Sequence, residues 1–348
     1  MKPAASAVFL GLLTSFFWAF QHPLQNPVYS TAADLQYGRI AIVIIAEILA
    51  CFFVSITLIS RRVRIGVKAA LGSENATAVY SRSVPVSVLG LLFYAFGLSN
   101  LDGPSVSISI SLSPLAALFF AYIVNEDSVS SSLRNGLRSK EFRAHMLAIV
   151  AVIVVVATNG LIGSAGISQA TAHFWESVAS SGLFVLLSMM VPFCYFYSGS
   201  TVAKEYKKQG GFVHFGAVVV AFFLAAVLSI VALGSFIALS GKGVPSLTSD
   251  LPPLHVAYFV SGAFLAAFLG TLVLHLSYRL PSEVQGIPSV TYHSVPVFTF
   301  AISFSASALD NRGDFPWSAT SLISSIAVAG VAVFVYRYEL KEFFLERS

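Results

Sequence analysis

Glu47 stands alone in a long apolar run, IAIVIIAEILACFFVSI, with no other charge between Arg39 and Arg61. A charge inside a bilayer costs about 2.5–3.5 kcal/mol on insertion scales, so a carboxyl there needs a partner or a purpose. His293 sits in a second apolar stretch, after Thr291 and Tyr292 and within a turn of Pro296. Gln21 and His22 come just before Pro23, with Asn26 and Pro27 next. Trp18, Tyr94, Ser113 and Asn159 add aromatic faces and hydrogen-bonding groups within apolar segments. A carboxyl at such a depth can bind and release a proton as its hydration changes, or balance a cationic solute. Imidazole, amide and hydroxyl groups can replace the water around a small polar solute. Trp18, Phe93, Tyr94, Phe119 and Phe120 can form apolar or cation–π walls. The competing reading makes Glu47 a neutral carboxyl hydrogen-bonded to Tyr or Ser, and makes the aromatics ordinary packing.

These residues need elements to hold them. Of 348 residues, 56% are hydrophobic and only 10% charged, and the mean hydropathy is +0.81. Soluble proteins carry about 25% charged residues. The chain is therefore expected to be an all-α integral membrane protein. A transmembrane barrel would alternate polar and apolar residues in ~10-residue segments throughout, which this chain does not. Apolar runs predict ten transmembrane helices, at about 5–28, 38–60, 84–101, 104–125, 145–165, 175–198, 212–239, 254–278, 282–308 and 318–337. The longest connections, 61–83 and 126–144, are expected to be basic, Ser-rich loops. The first run continues through Trp18 and Phe20 without a small-residue cleavage site, so it reads as a retained span.

Basic residues orient the spans. With the N-terminus inside, 17 of the 20 Lys and Arg fall on the inner side, and only Arg39, Lys242 and Arg312 fall outside. Such a bias puts both termini in the cytoplasm. It also accounts for the net charge of +4 without a nucleic-acid partner. On this topology Glu47 lies roughly 13 Å into span 2, at ~1.5 Å per residue, and His293 reaches a similar depth from the opposite face. Prolines 23 and 27 predict a bent or unwound outer end for span 1. His22 is expected to lie near enough to the interface to be solvated. His275, close to the inner end of span 8, reads mainly as structural. Arg39 opens span 2 and can snorkel to the outer surface.

Ten spans divide into five and five. An odd number per half requires the second half, 166–348, to be inverted relative to the first, 1–165, the plan of two inverted five-helix repeats. Pro114 in span 4 has its counterpart in Pro296 of span 9, each after a Ser- or Thr-rich half-helix.

The stretch from Tyr94 to Asp127 is the most distinctive. Ser105, Ser107, Ser109, Ser111 and Ser113 alternate with apolar residues, which is the period of a strand. A helix is expected nonetheless, because a lone spanning strand would leave its backbone unpaired in lipid. Wound as a helix, Ser105, Ser109 and Ser113 share one face and Ser107 and Ser111 lie roughly opposite, which suits a helix clamped between two neighbours. Some of these serines can line a substrate path, or they can be packing contacts only.

A helix ending at Gly97–Asn100, a short Asp102-Gly103-Pro104 turn, Leu112-Ser113-Pro114, an aromatic half-helix and a closing Asn125-Glu126-Asp127 together resemble the EamA-like branch of the drug/metabolite transporter superfamily. The second half diverges more from that pattern, leaving span 9 through Ser307-Ala308-Leu309-Asp310. The resemblance implies a secondary transporter of small metabolites. It also implies a substrate or gating role for Arg39, since the family often has a basic residue near that point.

The expected function is a secondary transporter, read as an exporter, working by alternating access between the two repeats in an inner (plasma) membrane. Its central cavity is expected to be lined by spans 1, 2, 3, 4, 8 and 9, with Glu47 as proton or cation site and His293 as its polar partner. No lysine, and no arginine besides Arg39 and the terminal Arg337, lies in a span. Phosphorylated solutes usually need paired cations or helix N-termini, so neutral, zwitterionic or weakly cationic solutes such as amino acids or drug-like compounds fit better than nucleotide sugars. The partners are thus a small-molecule substrate, the lipid bilayer and a coupling proton or cation. Neither cofactor nor metal is expected. Cys51 and Cys194 lie in apolar runs, and no metal-ligand or ATP-binding spacing occurs. Enzymatic activity is not expected, the competing classes being an intramembrane enzyme built on Ser289 and His293 at i, i+4, or a membrane scaffold.

Cysteines introduced at Ser131 and Gln209 should react with an impermeant thiol reagent only from the cytoplasm, and one at Ser246 only from outside. Labelling of the Gln209 and Ser246 positions from the same face would defeat the ten-span topology.

Overall fold

A computed structural model of the chain describes residues 3–29, 35–101, 103–111, 167–240, 252–280 and 294–309, together with 322, 326 and 330. These residues are helical almost throughout, and no strand occurs among them. Backbone groups surrounded by lipid must bond within their own segment, and a helix does this at every residue. In chain order the helices are α1 (Pro3–Ala19), α2 (Gln21–Tyr29), α3 (Leu35–Ile56), α4 (Arg61–Leu71), α5 (Ala76–Asn100) and α6 (Gly103–Ser111). They continue with α7 (Ile167–Tyr206), α8 (Gly211–Ser240), α9 (Pro253–Gly262), a π-helical segment (Ala263–Gly270), α10 (Thr271–Ser277) and α11 (Val295–Leu309).

Among the described residues, six candidate spans, over Ser6–Gln25, Ile40–Ile59, Ala76–Asn100, Gly182–Gln209, Gly211–Leu239 and Pro253–Ser277, are long and apolar enough to cross a membrane, and α11 supplies a shorter apolar helix. The chain is an all-helical, multi-pass membrane protein. Expected span 145–165, the loop 126–144, most of 318–337, and parts of 104–125 and 282–308 lie outside the described residues. The Ser-rich stretch is a helix, as lipid requires. Ser105, Ser107 and Ser109 are all buried, and α6 is held between α7 and α11.

The connection 61–83 is not a loop. Residues 61–71 form α4, and α5 begins at Ala76, eight residues before the expected start. Val63, Gly66 and Ala70 are buried at helical spacing while Arg61, Arg62, Arg64 and Lys68 are exposed. That is an amphipathic helix lying across the bundle's end. It crosses the start of α8 at backbone contact: a Cβ on Gly66 would overlap the Phe212 carbonyl, and one on Gly216 would overlap the Gly66–Val67 peptide. The Arg62 guanidinium sits 5.5 Å from the Phe212 ring centroid. Tyr206 donates to the Ala70 carbonyl at 3.0 Å and Tyr80 to the Ala217 carbonyl at 3.4 Å, their rings stacked with centroids 6.1 Å apart. Asn75 donates to Glu205 at 3.1 Å. After the 3₁₀ turn Lys207–Gln209, Gly210 takes a φ of 109°, a left-handed conformation that reverses the chain into α8 and favours glycine. The Arg279 guanidinium lies against Gly211. Basic residues of α4, of the 3₁₀ turn and of the stretch after α10 thus share one end of the bundle, called the basic end below.

The α4–α8 crossing leaves no room to repack, since the obstructing atoms are backbone. Gly66→Leu should cost at least about 1–3 kcal/mol and lower the melting temperature in nanodiscs. Gly234→Ala, which meets nothing within 4 Å, should leave the melting temperature unchanged or slightly raised. Equal melting of the Gly66 variant and the parent protein would refute the tight crossing.

Candidate functional site

A break in the first span creates one wall of the central cavity. α1 stops at Ala19, Phe20 forms a turn, and α2 starts at Gln21. The cause is Pro23, whose ring opposes the carbonyl four residues back, that of Ala19, and which has no N–H to give it. The Phe20 amide turns to Phe17 at 3.2 Å instead. The helix then resumes through Pro23 and Pro27, so the bend lies at Phe20 and not at the outer end of the span as expected. Trp18, Gln21 and His22, which flank the bend, all line the cavity. His22 is buried inside the bundle, contrary to the expectation that the interface solvates it.

The opposite wall comes from the π-helical segment and α10. Gly262 and Gly270 bring this wall close to the first span: a Cβ on Gly262 would lie 3.2 Å from Gln25 and from Leu24, and one on Gly270 would overlap the Trp18 ring. Gly270 thereby fixes where the indole stands. Ala266, Ala267 and Thr271 face the cavity. A π-helix shifts the register of the residues beyond it, and such segments recur at functional sites.

Glu47 of α3 is buried and faces the same cavity, as does Tyr94 of α5. Val106, Ser107 and Ile110 come from α6, Val191 and Tyr195 from α7, and Val295 from the first turn of α11. Tyr195 lies within electrostatic reach of the Glu47 carboxyl, and its ring centroid is 5.9 Å from that of Trp18. Ser107 approaches Thr299 of α11 at 3.4 Å. The cavity measures about 40 Å³ to the centres of water-sized spheres, which is room for about three waters at ~10–15 Å³ each.

Five of the nine residues singled out from sequence therefore meet in one cavity: Trp18, Gln21, His22, Glu47 and Tyr94. Arg39 lies in α3, and nothing further is described of its side chain. Ser113, Tyr292 and His293 lie outside the described residues, as do Pro114 and Ser289. Pro296 falls in the first turn of α11, where its missing N–H costs little. The expected lining by spans 1, 2, 3, 4, 8 and 9 omits α7, which corresponds to span 6. Pro192 in the middle of α7, three residues before Tyr195, was the signal available for it.

Chemically the site is one carboxyl among aromatic faces, an amide, an imidazole and hydroxyls. No lysine or arginine lines it among the described residues. Cys51 and Cys194 are buried free thiols. No group of three His, Cys, Asp or Glu side chains comes together among the described residues. The site can exchange a proton, hold a cation, or solvate a small polar molecule.

No family model and no curated protein matches the chain. Four solved chains match it in structure. One is the crystal structure of a protein whose chain superposes over 97% of this chain and 99% of its own length, with a TM-score of 0.56 and 10% identity. At that identity the likeness establishes a shared fold alone, and it extends along the whole chain.

Proposed function

We propose that this protein is a secondary transporter, acting as an exporter, for small neutral, zwitterionic or weakly cationic solutes such as amino acids or drug-like compounds. The observation that carries this reading is the cavity itself. Seven predicted spans contribute to it, it lies inside an apolar bundle, and it contains a buried carboxyl with no cation on its walls among the described residues. A packing role for Glu47 would call for a close-fitting partner instead of a chamber bounded by Gln21, His22, Ser107 and Thr271.

The reading includes a ten-helix bundle of two inverted five-helix repeats, similar to the EamA-like branch of the drug/metabolite transporter superfamily. It also includes an inner-membrane location with both termini in the cytoplasm. Alternating access opens the cavity to one side and then the other. Glu47 takes up a proton in the closed chamber and gives it up where opening restores water around the carboxyl. The same carboxyl balances the charge of a cationic solute when one is bound.

A thermal-shift screen of the purified protein against amino acids, nucleosides, polyamines, sugars and sugar phosphates finds the ligand class, because binding to the folded state raises its stability. The ligand is then followed in proteoliposomes. One-for-one exchange with protons across one pH unit drives about tenfold accumulation. Glu47→Gln keeps size and hydrogen bonding but cannot titrate, so it should fold, bind the solute and show no gradient-driven accumulation. Unchanged pH-dependent accumulation in this variant would reduce Glu47 to a packing residue. Robust exchange of a sugar phosphate for phosphate would replace this reading with that of a phosphorylated-metabolite antiporter.

A further inference from the structure

Two histidines lie between the central cavity and the basic end. Thr271 lines the cavity at the start of α10, and His275 follows one turn later, about 6 Å further along the helix. His275 is buried, with its ring centroid 6.3 Å from that of Phe222 on α8 and 6.0 Å from that of Tyr278. His214, in the first turn of α8, is also buried and lies within electrostatic reach of His275. Arg279 and Lys207 lie within reach of His214 in turn, at the basic end.

Neither imidazole is accounted for by packing alone. Nδ1 of His275 and both ring nitrogens of His214 are buried and make no hydrogen bond within the structure. Buried polar atoms left so are uncommon, and where they occur they call for an explanation. An apolar side chain would fill either place without that cost. The helices around the pair limit what else can act on it. α1, which packs against α10, carries no ionisable side chain. From α7, Gly199 receives the Tyr278 ring, and Phe196 meets the same ring edge-on with centroids 5.5 Å apart. Tyr278 meets His275, and Arg279 and Lys207 act on His214; α4, which packs on α8, carries Arg61, Arg62, Arg64 and Lys68, all exposed. No third metal-ligating side chain joins the two histidines among the described residues, which leaves them without the makings of a metal centre.

We propose that His275 and His214 form a proton relay connecting the Glu47 cavity with the basic end of the bundle. The proposal rests on the reading of Glu47 as a proton site and goes beyond it by assigning the route. Each imidazole takes a proton on one ring nitrogen and releases the proton carried by the other, so the ring returns to a neutral form after each transfer. The proton leaves the Glu47 carboxyl, passes by the Thr271 hydroxyl and bridging water to His275, then to His214, and from there to water beside Lys207 and Arg279. Travelling the other way, the same steps load Glu47.

The proton itself serves as the probe, so the test needs no solute. The full-length protein is reconstituted into vesicles sorted by orientation, and an acid jump is applied to one face. Proton uptake is followed by the infrared carbonyl band of the protonated Glu47 carboxyl, identified by its loss in Glu47→Gln. With the jump at the basic-end face, His275→Gln and His214→Gln should slow uptake by about 10²-fold, the scale of a positioned proton-transfer group, with its final extent unchanged. Imidazole added on that side should restore the rate in His214→Ala. With the jump at the opposite face, all three histidine variants should match the parent protein. Parent-like rates from the basic-end face, or equal slowing from both faces, would overturn the relay while leaving Glu47 as a proton site. A parent protein without the Glu47 band would remove both readings together, and the missing amplitude distinguishes that outcome from a change in rate.

Discussion

Close approach of helix backbones at small residues is the interaction on which the rest of this structure depends. In water, large apolar side chains draw helices together. In lipid they gain little by leaving one apolar surroundings for another, so contact must come from packing density and interhelical hydrogen bonds. The observed crossings follow that rule. Gly90 of α5 lies against Cys194 and Gly97 against Ser188, both on α7. Gly66 and Gly216 join α4 to α8, Gly262 and Gly270 join the π-helical wall to the first span, and Gly199 takes the Tyr278 ring. Large residues such as Phe9, Phe52, Leu186 and Ile230 are left to face outward.

The central cavity occurs where this close packing is interrupted, and each interruption has a local cause. Pro23 breaks the first span at Phe20. Eight π-helical residues displace the register of the helix ahead of Thr271. Polar groups that line the cavity stand beside these breaks: Gln21 and His22 at the first, Thr271 at the second. The Glu47 carboxyl shares the cavity with those groups and with Tyr94, Tyr195 and Ser107.

Much of this was legible in the sequence, for identifiable reasons. Apolar run length located the described spans, since lipid thickness sets helix length. Glu47 and the Gln21–His22 pair were found because polarity inside an apolar run is costly enough to need a reason. α4 was misread as a loop although its buried positions 63, 66 and 70 have helical spacing: a charged composition was weighed above periodicity. The π-helical segment leaves no mark on hydropathy, which counts residues without regard to how they are wound. Tyr195 went unnoticed because an aromatic in PFCYFY looks like all the others, and Pro192 was not read as a cause of altered packing nearby. His214 was overlooked because three residues from a basic loop looks like an interface, whereas it is buried inside the bundle.

Charge balance ties the cavity to what it can carry. Moving any net charge into a low-dielectric chamber costs several kcal/mol per ion after relaxation. A closed cavity must therefore stay close to neutral, and the described walls offer one carboxyl, the His22 imidazole and no lysine or arginine. With His22 neutral, two loaded forms meet that condition: a neutral or zwitterionic solute with Glu47 protonated, or a monocation with Glu47 ionised. They exclude one another, because a cation beside the protonated carboxyl leaves the chamber at +1, and a neutral solute beside the ionised one leaves it at −1. A phosphorylated solute brings up to two negative charges, and the described walls offer no lysine or arginine to balance them, only the His22 imidazole. Under the transporter reading proposed above, coupling and substrate class would follow from one electrostatic requirement, set by Glu47 and by the lack of lysine and arginine on the described walls facing it.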